Sequence, residues 1–407
     1  MPKTTRLFGI LTGVLAIGLA LAACSSPGTP PVTPTGSVTP TGNTEAPIKI
    51  AVVISTSGVY AGLGQPEVDA LKAYEANQPA DARQIQFVFE NPQSDPAQGA
   101  AIAKRLVADK SIVGLIAGAT HAVANGMFPI VQPAKIPWIV ITPVEYPNYN
   151  KEPFIFGPNL GPLVNHGEMH AQMLSLLGIK LDNVTVLVND DASGQATHSA
   201  FAQFPNFVDA PATLTDYAPV MAEIKASDRK AIVNNQSGAN AGYARKAEIA
   251  AGLDIPFLAG PQVLTSSFAN IVGSDAAGVD VLALRPMLSE QPPGTDPKQA
   301  AAIAAYRDAF QSYTNRDPSL ESAGPINVWD AALSFGYAAA GLKDVTRDSL
   351  QKQMIGQEYM GAGGYVKRTA ADHNGFQQDS WVYASLTKDG KVKAVAEMRD
   401  GKPTLVK

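Results

Sequence analysis

The amino-acid sequence predicts an α/β protein built from two doubly wound parallel-sheet lobes with a ligand cleft between them. From residue 48 onward, apolar segments of strand length alternate with amphipathic segments of helix length. The strand segments are apolar throughout, which is typical of parallel strands that helices cover on both faces. Roughly ten such strands are too many for one small sheet, so two lobes are predicted.

The predicted elements follow in a regular order along the chain. Strands are expected at residues 48–55, 84–91, 112–118 and 137–142. Helices are expected between them at residues 65–77, 100–109 and 124–134, the last of which is shortened by its prolines. The alternation resumes with helices at 163–178 and 243–253 and strands at 183–190, 231–236, 256–260 and 279–284.

The first 23 residues have the features of an export signal. Lys3 and Arg6 precede an apolar stretch at residues 7–21, which is too short to span a bilayer comfortably. The stretch ends in Leu-Ala-Ala-Cys, which resembles the lipobox of bacterial lipoproteins, where cleavage leaves Cys24 to carry the lipid. We therefore expect an exported protein, lipid-anchored to the cell membrane or outer membrane, in the periplasm or at the cell surface.

Residues 24–47 are predicted to be a tether that begins at the lipidated cysteine. The segment is rich in Pro, Thr, Gly and Ser and lacks the apolar residues needed to fold. Cys24 is the only cysteine of the chain, so neither a disulfide nor another thiol nucleophile is available. The folded part must therefore be stabilised by its core.

Composition and motifs argue against several other classes of protein. The chain has 31 Lys and Arg against 36 Asp and Glu and no basic face, so no nucleic acid is expected as a partner. No Gly-x-Ser-x-Gly elbow, P-loop or complete dinucleotide fingerprint is present, so we expect no enzyme, no catalytic residues and no cofactor. His166 and His170 stand four residues apart, as in zinc sites, but no third ligand is evident nearby, so no metal is predicted.

In doubly wound folds, ligands bind beyond the carboxyl ends of the strands. The residues expected to reach the cleft therefore lie in the loops that follow the predicted strands. These candidate loops are residues 55–64, 118–125, 142–146, 189–195, 234–240 and 260–267.

Seven segments along the chain resemble, in order, the type I periplasmic solute-binding proteins of ABC importers, in the leucine/isoleucine/valine-binding-protein-like group. The resemblance covers residues 48–407 and is carried by ISTSGVYAGLG, NPQSDPAQGAAIAKRLVAD, GLIAGATHAVA, IPWIVITP, VLVNDDASGQ, EIAAGLDIPFLAGPQ and AGPINVWDAALSFGYAAAGL. It implies a monomeric receptor whose two lobes, joined by three crossovers, close on a small-molecule solute and deliver it to the permease subunits.

The same resemblance implies how the chain divides between the lobes. The N-terminal lobe is expected to comprise residues 48–143 with 286–358. The C-terminal lobe is expected to comprise residues 144–285 with 359–407.

Members of this family that bind amino acids hold the carboxylate with hydroxyl and N–H groups and the ammonium with an acid. Here the serine cluster after the third strand is reduced to Thr120, followed by His121. Gln262 stands in the position of the acid, and Ser193 in that of an aromatic residue. Glu145 is an alternative partner for an ammonium group. The ligand-binding residues predicted from these matches are Tyr60, Leu63, Thr120, His121, Thr142, Glu145, Tyr146, Ser193, Ser237 and Gln262.

These residues predict a neutral, hydrogen-bonding site for a polar organic solute, such as an amide or a modified amino acid. A second interpretation stays open at this point. A lipoprotein of the same fold can act as a regulator or sensor in the cell envelope through protein–protein contacts, and the altered pocket is compatible with that role.

Overall fold

The computed structural model describes residues 45–118, 120–142, 152–157 and 160–406. All of them belong to one compact unit, Thr41–Lys407. The signal peptide, Cys24 and most of the predicted tether lie outside the described residues. Among the residues that are described, no helix is both long and apolar enough to cross a membrane.

The first sheet has five parallel strands in the order β2-β1-β3-β4-β5. Neighbouring residues of β1 face opposite cores, as the two-residue period of a strand requires. Val52 packs with the residues of one apolar cluster, whereas Val53 packs with those of the other. The strands are β1 (Ile48–Val53), β2 (Ile85–Glu90), β3 (Ile112–Ala117), β4 (Trp138–Val140) and β5 (Ile155–Phe156).

Six helices pack around the first sheet. Helices α2 and α3 pack against each other, while α1 packs against α9 and α10. Asp95 caps α2 by accepting the N–H of Ala97 at 2.7 Å, and a proline occupies the first helical position. The helices are α1 (Ala61–Ala76), α2 (Pro96–Ala108), α3 (His121–Val131), α9 (Pro297–Thr314), α10 (Ala323–Ala339) and α11 (Arg347–Met354).

The second sheet has eight strands in the order β15-β14-β13-β10-β9-β8-β6-β7. Strands β6 to β10 are parallel and β13 to β15 are antiparallel. The parallel strands are β6 (Val184–Asn189), β7 (Phe207–Ala210), β8 (Ala231–Asn234), β9 (Phe257–Ala259) and β10 (Val279–Leu284). The antiparallel strands are β13 (Trp381–Leu386), β14 (Val392–Arg399) and β15 (Lys402–Leu405).

The helices of the second lobe connect its strands or precede them. They are α4 (Leu163–Leu176), α5 (Ala192–Ala200), α6 (Ala218–Ala226), α7 (Gly238–Ala250) and α8 (Ser266–Val272). Helix α4 contacts α5, and α7 contacts α6 and α8.

The chain passes between the two sheets after β5, after β10 and after α11. The last passage carries a two-stranded ribbon of β11 (Glu358–Met360) and β12 (Tyr365–Lys367). The buried carboxylate of Asp330 accepts the N–H groups of Ala362 and Gly363, each at 2.8 Å, so α10 fixes the loop of this ribbon.

The predicted α/β fold with two parallel-sheet lobes is confirmed, and one strand requires a correction. Strand β5 lies beyond residue 143, where the predicted first lobe ends, yet it pairs with β4 in the first sheet. Its two buried residues complete the edge of that sheet, so the first passage to the second lobe follows Phe156. The other lobe boundaries stay a prediction.

Candidate ligand-binding site

A cavity lies where loops that follow strands of both sheets meet. It contains about 830 Å³ of empty space, part of it open to solvent, compared with about 300–1,000 Å³ for typical small-molecule sites. Its first-lobe lining is Tyr60, Leu63, Glu67, Thr120, His121, Ile141, Thr142, Ser322, Ala323 and Gly324. Its remaining lining is Leu160, Leu163, His166, Asn189, Ser193, Gly194, Thr197, Asn235, Ser237, Pro261 and Gln262.

The loop after β3 presents the beginning of helix α3 to this cavity. Gly118 has a φ of +81°, in the left-handed region that glycine adopts readily, and this turns the chain away from the strand. Thr120 is the N-cap of α3, and its side-chain oxygen accepts the N–H of Val123 at 3.3 Å. Its hydroxyl proton is therefore available for a ligand oxygen, in a place where the helix N-terminus favours negative charge.

Helix α1 supplies a stripe of three side chains to the opposite part of the same wall. Tyr60 is its N-cap residue, and Leu63 and Glu67 follow on the same helical face, three and seven residues later. The stripe therefore combines a phenol, an apolar side chain and a carboxyl group. Sequence reasoning identified the first two and missed Glu67, although the helical spacing from Tyr60 was a usable signal.

The second-lobe wall is a network of neutral amides and hydroxyl groups. Gln262 donates to the side-chain oxygen of Asn235 at 2.9 Å, and Asn235 in turn donates to Thr197 Oγ1 at 2.8 Å. Asn189 donates to Ser237 Oγ at 3.3 Å. These bonds hold the amide groups in fixed orientations, which is the usual requirement for selective binding of a polar ligand.

Three contacts join the two walls across the cleft. The Tyr60 hydroxyl group donates a hydrogen bond to the Asp191 carboxylate, and Asn189 Nδ2 lies 3.4 Å from the Tyr60 oxygen. His121 Nδ1 lies 3.3 Å from Ser193 Oγ. Burial and the Asp191 carboxylate raise the pKa of Tyr60 above its usual value, so the phenol stays protonated as a donor. The lobes are therefore held in a closed arrangement.

Glu67 is the acid in the described lining of the cavity. Its side chain is buried, with 5% exposure, and burial raises its pKa to about 8. Its Oε2 atom has no hydrogen-bond partner. Within the described lining, no Lys or Arg accompanies this carboxyl group.

His166 and His170 are core residues of α4. His166 Nε2 is bonded to the Leu160 carbonyl at 2.9 Å, and the His170 ring contacts the Tyr383 hydroxyl at 3.0 Å. Burial lowers their pKa values to about 4 and about 3, so both rings are neutral near pH 7. In the described part of the chain, no three His, Cys, Asp or Glu side chains are grouped as a metal site requires.

The cavity brings together most of the residues predicted from the sequence to bind the ligand. Those that line it are Tyr60, Leu63, Thr120, His121, Thr142, Ser193, Ser237 and Gln262. Glu145 and Tyr146 lie outside the described residues. Besides Glu67, sequence reasoning missed the amides Asn189 and Asn235, although both fall in loops at the ends of predicted strands.

Comparison with known protein families gives one match over most of the chain. A family model described as "Periplasmic binding protein" matches residues 47–391. The chain therefore belongs to the periplasmic binding proteins, and the family predicted from the sequence motifs is confirmed. No protein of curated function matches the sequence significantly.

Solved structures of similar fold are numerous. An extracellular ligand-binding receptor from Rhodopseudomonas palustris HaA2 has a TM-score of 0.73 and 18% identity, and the match covers 86% of this chain and 100% of the receptor. The branched-chain amino acid transporter substrate binding protein LivJ from Streptococcus pneumoniae, solved with isoleucine, has a TM-score of 0.72 and 20% identity over 89% of this chain and 100% of LivJ. An ABC-transporter solute binding protein from R. palustris, solved with benzoate, has a TM-score of 0.72 and 20% identity over 89% of this chain and 98% of that protein.

Proposed function

We propose that this chain is the lipid-anchored, extracytoplasmic solute-binding receptor of an ABC importer, and that its two lobes close on a small polar organic solute of amino-acid or amide type. The observation that carries the proposal is the cavity itself, whose hydrogen-bonding groups come from both lobes and are linked across the cleft. The proteins of similar fold that were solved with isoleucine and benzoate support a solute of this size.

The chemistry of the walls supports a ligand with two different polar ends. Thr120 and the first turn of α3 offer donors to a carboxylate or carbonyl oxygen. Gln262 and Asn235 offer amide groups that accept as well as donate. Leu63 and Ile141 contribute apolar surface to the same cavity.

Ligand-induced thermal stabilisation of the purified protein tests the receptor function. The panel comprises amino acids, amides, aromatic acids and amines. A ligand at about 100 times its Kd adds about 2.7 kcal/mol to the free energy of unfolding, which raises the melting temperature by several degrees. A panel without any stabilising compound contradicts the receptor function and favours the regulatory or sensing lipoprotein.

Substitutions in the cavity test the position of the site. Thr120→Ala and Gln262→Ala are each expected to weaken the binding of a panel hit, measured by titration calorimetry, with little change in melting temperature. Gln311→Ala, at an exposed position of α9, is the matched control and should bind as the unchanged protein does. Full affinity in both cavity variants refutes the site.

The membrane anchor has its own test. We expect the unchanged protein to incorporate labelled palmitate and to fractionate with membranes, while Cys24→Ala is recovered without label in the soluble fraction. An unlabelled protein with Cys24 intact contradicts the lipid anchor and leaves the ligand site unaffected.

A further inference from the structure

We propose that Glu67 is the ion-pairing partner of a positively charged nitrogen in the ligand, so that the site selects protonated amines or amino compounds over acids that lack one. The inference rests on the proposed receptor function and names the ligand class of the same cavity. It differs from the sequence-based expectation of a neutral site, because the acid belongs to a helix of the first lobe and not to the position of Gln262.

The position of Glu67 is built into the packing of α1 against α10. A Cβ atom added to Gly324, in the first turn of α10, would lie 2.4 Å from Glu67 Oε1 and 3.0 Å from its Cγ. Only the absence of a side chain at residue 324 leaves room for the carboxyl group. Because Gly324, Ser322 and Glu67 all line the cavity, that room adjoins the ligand space.

A carboxyl group in this position lacks a partner within the described protein. Its Oε2 atom is buried and makes no hydrogen bond. Taking a carboxylate out of water is costly unless a positive charge or several donors compensate it. Because the described lining contains no Lys or Arg, a cationic ligand supplies the compensation that this lining does not.

Most of the titratable groups on the surrounding elements are engaged with other partners. Asp69 and Glu321 are paired with Arg316, beside α1 and the beginning of α10. On α10, Asp330 accepts two backbone N–H groups. On α9, the Tyr306 hydroxyl group is buried without a hydrogen-bond partner among the described residues, and burial keeps it protonated by raising its pKa well above the usual value. In the cavity, Tyr60 donates to Asp191, His121 contacts Ser193, and His166 is bonded to the Leu160 carbonyl.

Ion pairing couples ligand binding to loss of a proton from Glu67. In the ligand-free protein burial holds the pKa of Glu67 at about 8, so the group is largely protonated at pH 7. A primary ammonium group, with a pKa of about 10.4, stays charged over this range. Affinity for an amine should therefore rise roughly tenfold from pH 6 to pH 7, rise further to pH 8, and level off above about pH 9.

Two series of isosteric compounds test the ligand class. They are 3-methylbutylamine, isovaleramide and isovalerate, and benzylamine, benzamide and benzoate, added to the amino acids of the panel. Binding is measured by calorimetry at pH 6, 7 and 8. Glu67→Gln removes the charge at nearly constant shape, and Glu168→Gln makes the same change at an exposed position of α4 as the matched control. Melting temperatures show whether both variants fold.

The proposal expects an amine or amino compound to bind with affinity that rises with pH. It also expects Glu67→Gln to weaken that binding at least tenfold at pH 8 and to abolish its pH dependence, while Glu168→Gln changes neither. Affinity that falls with rising pH overturns the proposal, because protonated Glu67 then acts as a donor to a neutral or anionic ligand. Binding of amides or acids but no amine also overturns it, with the receptor function intact. If no panel compound binds, the receptor function fails and the inference fails with it.

Discussion

Replacement of Glu67 by glutamine should stabilise the ligand-free protein more at pH 7 than at pH 5. Between the pKa of an unfolded glutamate, 4.5, and the value of about 8 in the folded protein, the folded state binds more protons than the unfolded state. Stability therefore falls as pH rises through this interval. The loss amounts to roughly 1 kcal/mol at pH 5 and roughly 3 kcal/mol at pH 7.

Glutamine carries no such penalty, although the buried amide has a cost of its own that does not depend on pH. The difference in free energy of unfolding between Glu67→Gln and the unchanged protein should thus move in favour of the variant by roughly 2 kcal/mol from pH 5 to pH 7. Urea unfolding at the two pH values measures this difference, provided that the m values agree.

Glu168→Gln, at an exposed site, should follow the unchanged protein at both pH values. A difference for Glu67→Gln that is equal at pH 5 and pH 7 refutes the reasoning. It would mean that Glu67 already ionises in the folded protein as it does in the unfolded chain.

Three other predictions follow from the described contacts. Tyr60→Phe removes a charge-assisted hydrogen bond across the cleft, which is worth about 1.5–3 kcal/mol. Small-angle scattering should therefore show a more open ligand-free protein for Tyr60→Phe, but not for the control Tyr313→Phe at a half-exposed site of α9. Gly64→Ala should lower the melting temperature strongly, because the new Cβ would lie 2.0 Å from a backbone oxygen, whereas Gly62→Ala meets its nearest atom only at 4.0 Å. Burial lowers the pKa of His170 to about 3. Below about pH 6.5 the unfolded chain binds a proton at this residue and the folded protein does not, so the free energy of unfolding falls by about 1.4 kcal/mol per pH unit between about pH 6.5 and 3. In His170→Phe, which lacks this group, the free energy of unfolding should fall less steeply with acid.

Most of the fold could be predicted because its parallel strands are apolar throughout. Strands such as β1 and β3 are buried on both faces, and such runs are visible without any partner being known. The edge strand β7 was missed because three of its four residues are at least partly exposed. Strands β13 to β15 were missed although they form consecutive antiparallel hairpins, in which Leu386 pairs with Val392 and Arg399 pairs with Lys402 across short turns. The pairing of β13 with β10, by contrast, joins residues far apart in sequence, which no local pattern encodes.

The candidate site could be predicted where it depends on strand ends, and not where it depends on helix packing. Thr120 and Gln262 follow strands directly, so the fold class alone brings them to the cleft. Glu67 reaches the cavity only because α1 packs against α10 at Gly324, more than 250 residues further along the chain. A glutamate in an amphipathic helix usually lies on the exposed face, and this general expectation outweighed the helical spacing of Glu67 from Tyr60.

The location of Glu67 also separates the binding of a ligand from the closure of the lobes. Gln262 and Asn235 of the second lobe bond to each other, so that wall offers neutral groups, while the acid lies in the first lobe. Under the proposed pairing, the amine binds to a group of the first lobe, whereas the bond between Tyr60 and Asp191 joins the lobes independently of that group. Glu67→Gln should accordingly impair binding without opening the ligand-free protein, whereas Tyr60→Phe should open it while leaving the acid in place.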